Sequence, residues 1–592
     1  MKYTAINIGP IISTFDMVRK PRELWAASYL FSHLMKCIYK EINATEGIEV
    51  FSPNMSESEE KTGVGLYPDR VYCIGTWDFE SKRKDILNTF TNDLKLSVDA
   101  DFKDYFNIMC VTIDGEGLSE TKAICTMNHL LDCLELNERA VSDKSKNVVW
   151  NLISNNQQKL YNLAFPNGKF AKLTEESDGY GTLAEYASIQ LSSINDNSKE
   201  KWEEALRVSK IEEDLRNEFP SLYIDKVEDA FYRKLKESFA EIKDKSGKSI
   251  SKFKSYHKYI CVVQADGDNM GKTFSHEDLA KGKTAEISKE LVKFGKEASK
   301  KIYGYGGLPI YAGGDDLLFL APVVGKTRVV DGEISRPQNI FDLLKDIDGC
   351  FNPVKEMVET EKLTVKDKDN NPIKDKDGND IIVSPSMSYG VSITYYKFPL
   401  YEALKSAQHL LFGVAKDVDG KNAIAWHLQK NSGSSFSGAF SKTNVLHSFE
   451  KVILSSSVKD SIVSAVSHKI RENQALLQLW LNDTSYRQRN LNFFKKYMDY
   501  DEKDGYKQSI LDLLDNLYEI YQLLLEEKDK GIDKDAKNGK IKLLPTDKAN
   551  GVFSLEAKVN YLKQSNRDEL FKMIYSMIRT AKFISGEEVI DE

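Results

Sequence analysis

Apolar and polar positions first alternate along this chain and then recur at helical spacing. Tyr3 to Gly9 (YTAINIG) alternates in strand fashion. PRELWAASYLFSHLMKCIYKEI follows, with Leu24, Ser28, Phe31, Met35 and Ile38 on one stripe of a helix. RVYCIGT (Arg70 to Thr76) and NIMCVTI (Asn107 to Ile113) are apolar runs of strand length, each followed by a helical pattern. A small α/β unit ending near residue 145 is expected. Residues 146 to 256 are polar, charged and mostly helical in period.

The pattern then changes. KYICVVQAD (Lys258 to Asp266) is a continuous apolar strand ending in an acid. AEISKELVKFGKEASKKI puts Ile287, Leu291, Phe294, Ala298 and Ile302 on one helical face. LPIYA and LLFLAPV flank a GGDD stretch, SMSYGVSIT reads as a further strand, and PLYEALKSAQHLLFGVAKDVDGKN reads as a helix running into a turn. The order β-α-β-β-α-β-α is that of the ferredoxin-like split βαβ with an added helix, and the first unit is a candidate degenerate copy. VKDKDNNPIKDKDGND (Val365 to Asp380) has Asp380 where a calcium loop needs glycine, so a solvated hairpin insertion is expected. From about 433 the pattern is helical throughout, with EEKDKGIDKDAKNGK expected as a charged loop. The expected division is 1–145, 146–256, 257–432 and 433–592, in an α+β fold.

Composition narrows this picture little. The 592 residues are 41% hydrophobic and 29% charged, as in ordinary globular proteins. A net charge of −8 gives no global nucleic-acid signal, although a local groove could still bind RNA. Seven scattered cysteines form no CxxC pair, so a structural zinc site of the usual spacing is not expected. No signal peptide and no apolar run of membrane-spanning length is visible, and a cytoplasmic location is expected.

The chemistry centres on YAGGDDLLFLAP, Tyr311 to Pro322. Gly313 and Gly314 supply a hairpin turn without strain and leave room for phosphates near the backbone. Asp315 and Asp316 then sit at a rigid tip. Asp266, ending the neighbouring strand in VVQADGDNMGK, is expected to face them, with Asp268 two residues on. Converging carboxylates need positive charge, which Mg²⁺ supplies. Two such ions about 4 Å apart clamp an in-line phosphoryl displacement. Lys416 and Lys421 flank a glycine turn after the last helix and are candidate phosphate ligands; Lys272 is a weaker one. GKS at Gly247 to Ser249 has Ile242 where a Walker A loop needs glycine.

ADGDNMGK, YAGGDDLLFLAP, SYGVSI and AKDVDGKN together resemble the palm domain of nucleotide cyclases of the GGDEF kind. More closely, they resemble the large palm-domain (polymerase/cyclase) subunit of type III CRISPR-Cas effector complexes. IGPIISTFDMVRKPRELWAASYLFSHLM resembles the opening of the Cmr-type (III-B) members. The resemblance spans roughly residues 1 to 435. It implies two ferredoxin-like palms, the first without metal acids, a helical linker domain and a helical C-terminal domain. It also implies that ATP binds between the palms and becomes a second messenger, usually cyclic oligoadenylate, when guide RNA in the complex meets target RNA. Its expected partners are the handle-binding subunit and the small helical subunit of such a complex.

Carried over by position, Asp266, Asp315, Asp316 and the Gly267 carbonyl would hold two Mg²⁺ or Mn²⁺ ions. Asp268, Gly313, Gly314, Lys416 and Lys421 would meet nucleotide, and Ser28 and Asp69 of YPDR would face a second one. Many members carry an N-terminal HD nuclease domain and a four-cysteine zinc site. This sequence has no His-Asp dipeptide, and 146–256 has no cysteine, so neither is expected. Three alternatives stay open. One is AMP transfer to another acceptor such as S-adenosylmethionine, with Asp69 the place to look. Another is a catalytically silent scaffold. The third, a stand-alone diguanylate cyclase, is disfavoured by Asp316-Leu317 after GGD and by some 400 further residues.

Overall fold

The computed structural model describes residues 1–55, 63–95, 100–136, 142–155, 182–195, 197–218, 230–240, 252–327, 336–366, 371–374, 378–454, 506–537 and 554–586, with a few short pieces between them. They form two compact units. One holds Met1–Ser238, Ile260–Ser388 and Tyr396–Lys405; the other holds Phe239–Tyr259, Tyr389–Tyr395 and Ser406–Glu592.

The first unit opens with β1 (Lys2–Gly9), α1 (Pro21–Asn43), β2 (Glu49–Ser52), β3 (Arg70–Ile74), α2 (Phe79–Asp93), β4 (Asn107–Asp114) and α3 (Glu120–Glu135). The strands lie in the order β2-β3-β1-β4, each antiparallel to its neighbour. This βαββαβ connection is the ferredoxin-like one. The short strand β2 has no counterpart in the expectation, because four residues carry too little period to read. β1 is buried on both faces. Its Thr4 hydroxyl therefore needs an internal partner and donates to the Gly75 carbonyl at 2.8 Å.

α1 starts at Pro21, whose fixed φ suits a first helical position. Glu23 closes the start by accepting from the Arg19 and Lys20 amides at 2.8 and 3.0 Å. The stripe of Leu24, Ser28, Phe31, Met35 and Ile38 is buried along α1. Trp25, Ala26, Ala27, Leu30, Leu34 and Cys37 are buried as well, so α1 is covered nearly all round. Residues 183–193, 198–218 and 230–238 add helices with a small core of Trp202, Phe231 and Tyr232.

A second βαββα run follows in the same unit, with β5 (Tyr259–Asp268, in this unit from Ile260), α4 (Lys283–Tyr305), β6 (Leu308–Gly313), β7 (Asp316–Pro322) and α5 (Ile340–Thr360), and β8 (Ser386–Tyr395) contributes its first three residues to this unit and the rest to the other. β7 is antiparallel to both β5 and β6, and the opening residues of β8, Ser386–Ser388, lie beside β5. α4 and α5 pack together through Phe294 and Phe351, whose rings meet edge to face at 5.1 Å. The insertion Val365–Asp380 keeps antiparallel bridges Lys366↔Pro372 and Lys374↔Asp380; residues 367–370 and 375–377 lie outside the described ones.

The second unit corrects two expectations. Residues after 433 are not helical throughout, because β10 (Ser435–Ser441) pairs antiparallel with β9 (Ala423–Gln429), which is parallel to β8 from Tyr389 on. The expected charged loop starting at Glu526 continues a helix instead, α7 (Tyr506–Lys537). There Lys528 and Lys563 pair with Glu569 and Asp533 across to α8 (Leu555–Ser585), so charge marks a solvated helical face. α6 (Lys442–Leu454) and α8 cover the sheet through Trp426, which stacks on Phe449 and donates from Nε1 to Thr580 Oγ1 at 3.1 Å.

Candidate active site

Gly313 pairs with Asp316 across the β6–β7 hairpin, leaving Gly314 and Asp315 as a two-residue turn. Gly314 has φ +65°, the conformation a first turn position of this kind needs and side chains resist. Gly313 has a different reason to be glycine. A Cβ there would lie 2.3 Å from the Tyr311 hydroxyl, whose ring covers that face of the strand. Five apolar residues of β7, Leu317 to Ala321, are buried and fix the base of the turn.

On β5, Ala265 pairs with Leu317, so Asp266 reaches the level of Asp316. The charge of Asp266 is close enough to act on the Asp316 carboxyl. The Asp315 side chain folds back over the end of β5. A Cβ on Gly267 would stand 2.6 Å from Asp315 Oδ2 and 2.7 Å from its Cβ. Burial first, then the charges of Asp315, Asp266 and Asp69, push the Asp316 carboxyl well above the carboxylate range. The set fits a hard divalent cation: its donors are carboxylate oxygens, and one of them must take a proton when no cation is close.

Asp69 is thus placed in the electrostatic reach of the second-palm acids. It comes from the first palm, where burial raises its own carboxyl and neighbouring Arg70 opposes the rise. Tyr311, which the sequence reading left out, belongs to the same group. Burial and the charges of Asp69, Asp316 and Asp315 push its phenol well up, so it stays a neutral donor. Its position two residues before Gly313 put it on that face of the strand, a signal available from period alone.

Two of the residues expected to contact nucleotide have partners within the protein. Ser28 is 3% exposed, and its hydroxyl donates to the Ile310 carbonyl at 2.9 Å, so it ties α1 to the edge of β6. The same edge is held by Ala312 N–H donating to Gly65 O at 3.0 Å. Asp268 is wholly buried and accepts from Ser386 and Ser388 hydroxyls at 2.7 and 2.8 Å, which anchors the start of β8 to the end of β5.

Lys416 and Lys421 lie in the second unit. Lys416 is half-buried in the short turn Ala415–Asp417. Gly420, Lys421 and Asn422 have φ of +80°, +55° and +48° in succession. Left-handed backbone at a lysine is uncommon and marks a turn held by its surroundings. Here the Lys421 amide donates to Val418 O at 2.8 Å, and Asn422 Nδ2 donates to Thr443 Oγ1 at 2.9 Å. Lys272 is exposed on a single helical turn, Met270–Phe274. Among the described residues, no helix is long and apolar enough to cross a membrane.

A βαββαβ sheet and a βαββα run carrying acids on a hairpin tip define a protein of the palm-domain class. Family models agree and go further: residues 259–425 match the second palm domain of Cas10/Cmr2, and residues 3–97 match the N-terminal region of the CRISPR-associated protein Cmr2. Over these stretches the chain is similar to the Cmr-type Cas10 palm-domain proteins. It is 27% identical over 201 residues to the CRISPR system Cmr subunit Cmr2 of Pyrococcus furiosus, covering 30% of this chain and 19% of that relative. Among solved structures, a type III-B Cmr-beta complex in the apo state matches with TM-score 0.43 and 12% identity, over 87% of this chain and 77% of that one. A Csm1–Csm4 cassette in complex with cA4 matches with TM-score 0.39 and 10% identity, over 88% and 69%.

Proposed function

We propose that this chain is the signalling subunit of a type III RNA-guided antiviral complex and converts ATP to cyclic oligoadenylate when target RNA is bound. The observation that carries the reading is the meeting of Asp266, Asp315 and Asp316 at a rigid hairpin tip, where burial and the charges of its neighbours push the Asp316 carboxyl well above the carboxylate range. A silent scaffold has no use for this repulsion.

Asp266, Asp315 and Asp316 would hold the divalent cations, with the Gly267 carbonyl beside them. Bound Mg²⁺ or Mn²⁺ lowers the pKa of a ribose hydroxyl and offsets charge building on the phosphate oxygens. The chain's own work is positioning. Gly314 keeps the tip free of a side chain where phosphates approach, and Gly313 makes room for the Tyr311 ring. Tyr311 offers a neutral hydroxyl next to the acids. The bond formed joins a ribose oxygen of one ATP to the α-phosphorus of another, and pyrophosphate leaves.

Asp69 favours a second reading of the acceptor. A first-palm carboxylate within reach of the metal acids suits a cationic acceptor, such as the sulfonium and amino groups of S-adenosylmethionine. One experiment separates these readings. The assembled complex is incubated with ATP and Mg²⁺, with and without target RNA and with and without S-adenosylmethionine, and products are weighed by mass spectrometry. Oligoadenylate formed only with target RNA supports the first reading; an AMP adduct formed only with S-adenosylmethionine supports the second. No adenylate product of any kind overturns the enzyme reading, and undiminished activity in an Asp315→Ala/Asp316→Ala variant overturns the site.

A further inference from the structure

Away from the hairpin tip, α1 and α2 bring together a second set of side chains able to bind metal. His33 and Cys37 lie one turn apart on α1, and Asp93 ends α2. One donor atom of each lies within 4.8 Å of the others. His33 Nε2 stands 3.2 Å from Asp93 Oδ2 and 3.8 Å from Cys37 Sγ. Donors around a tetrahedral zinc ion at ordinary bond lengths are spaced about 3.4 Å for N to O and about 3.6 Å for N to S. The spacing found here departs from that by only a few tenths of an ångström.

We propose that His33, Cys37 and Asp93 form a transition-metal site, with zinc as its natural occupant, that ties α1 to α2 in the first palm and keeps one coordination position open. The donor set supports this assignment. Imidazole, thiolate and one carboxylate suit zinc, whereas the all-oxygen hairpin site suits magnesium. A thiolate and a carboxylate cancel the ion's two charges, so the bound site is neutral where two of its three ligands are buried.

The ring of His33 is held between Tyr29 and Phe90, at 6.2 and 5.7 Å between ring centres, which fixes the direction of Nε2 before any ion arrives. His33 is 6% and Cys37 7% exposed, while Asp93 is 43% exposed and gives an entry path. The three donors line a cavity of about 450 Å³ together with Lys36, Lys40 and Glu41, large enough for a water or a small anion in the fourth position. A thiol binds zinc as its thiolate, so binding releases the Cys37 proton to solvent.

The test uses the full chain carrying Asp315→Ala and Asp316→Ala, in excess Mg²⁺, so that hairpin metal does not contribute. After dialysis against Zn²⁺ and a weak chelator, one zinc per chain is expected by elemental analysis. Co²⁺ in its place is expected to give the near-ultraviolet thiolate-to-cobalt band. Cys37→Ser is expected to abolish that band, and Cys133→Ser, at an exposed cysteine, to keep it. Asp93→Asn, at an exposed position that leaves the core intact, is expected to weaken zinc binding by more than the about 10–100-fold typical of losing an outer partner. Zinc content unchanged in both Cys37→Ser and Asp93→Asn overturns the proposal, as does cobalt bound with no thiolate band.

Discussion

Gly267 and Asp315 occupy the same space at the end of β5, and that close approach sets the geometry of the acids. Gly267→Ala would place a methyl group against the Asp315 carboxylate, which must then swing off the strand end. A displacement near 1 Å at a reacting centre costs about 100-fold in rate. We therefore expect Gly267→Ala to lower turnover by about 10–100-fold with an unchanged circular dichroism spectrum; wild-type turnover would refute the packing role. Tyr311→Phe removes only the hydroxyl and is expected to reduce turnover while leaving the hairpin folded. Asp266, Asp315 and Asp316 were legible in sequence because the whole argument is local: apolar strand, turn, apolar strand, with the partner acid at another strand end. Ser28 and Asp268 were not, since their partners are 282 and, at most, 120 residues away and no periodicity reports them.

Elements hold the hairpin as firmly as residues do. α4 crosses β6 at Gly295, where a Cβ would lie 2.8 Å from the Ala312 carbonyl oxygen. Ala312 is the residue before Gly313, so a side chain at 295 pushes on the turn itself. Elsewhere in a helix glycine to alanine gains about 1 kcal/mol from propensity. Here the sign reverses. Gly295→Ala is expected to destabilise the protein by about 1–3 kcal/mol, as overpacking does, and to lower turnover in step. A thermal melt and a rate assay on one preparation check both, and a stabilised, fully active variant would refute the close packing. Long elements such as α4 and β5 were legible from their period. β2 and β10 were not: one has four residues, and the other, SFSGAFS, reads as polar because its partner strand and Trp426 bury it from one side only.

At the scale of the whole molecule, buried titratable groups set a stability profile with two limbs. Asp316 and Asp69 have folded pKa values raised above their unfolded ones. The fold therefore favours their protonated forms, and that stability, complete below the ordinary carboxylate pKa, is lost as pH rises through the raised values. His257 and His33 are held by burial at about 3 and about 4, so the fold favours neutral imidazole. Their contribution is complete above the ordinary histidine pKa of about 6.5 and is lost as pH falls toward those values. Each proton so linked changes stability by about 1.4 kcal/mol per pH unit between the two pKa values. Chelator-treated protein should accordingly melt highest at an intermediate pH. Asp316→Asn removes one titrating group from the alkaline limb. We expect it to flatten that limb and to raise metal-free stability at neutral pH by about 1–2 kcal/mol, while abolishing nucleotidyl transfer. Mg²⁺ or Mn²⁺ should lift the same limb in the wild type and far less in the variant, because the cation and the proton compete for the same oxygens. Melting temperatures across pH, with chelator and with metal, decide it: identical profiles for wild type and Asp316→Asn in chelator would mean that the hairpin acids carry no stored repulsion for a cation to relieve.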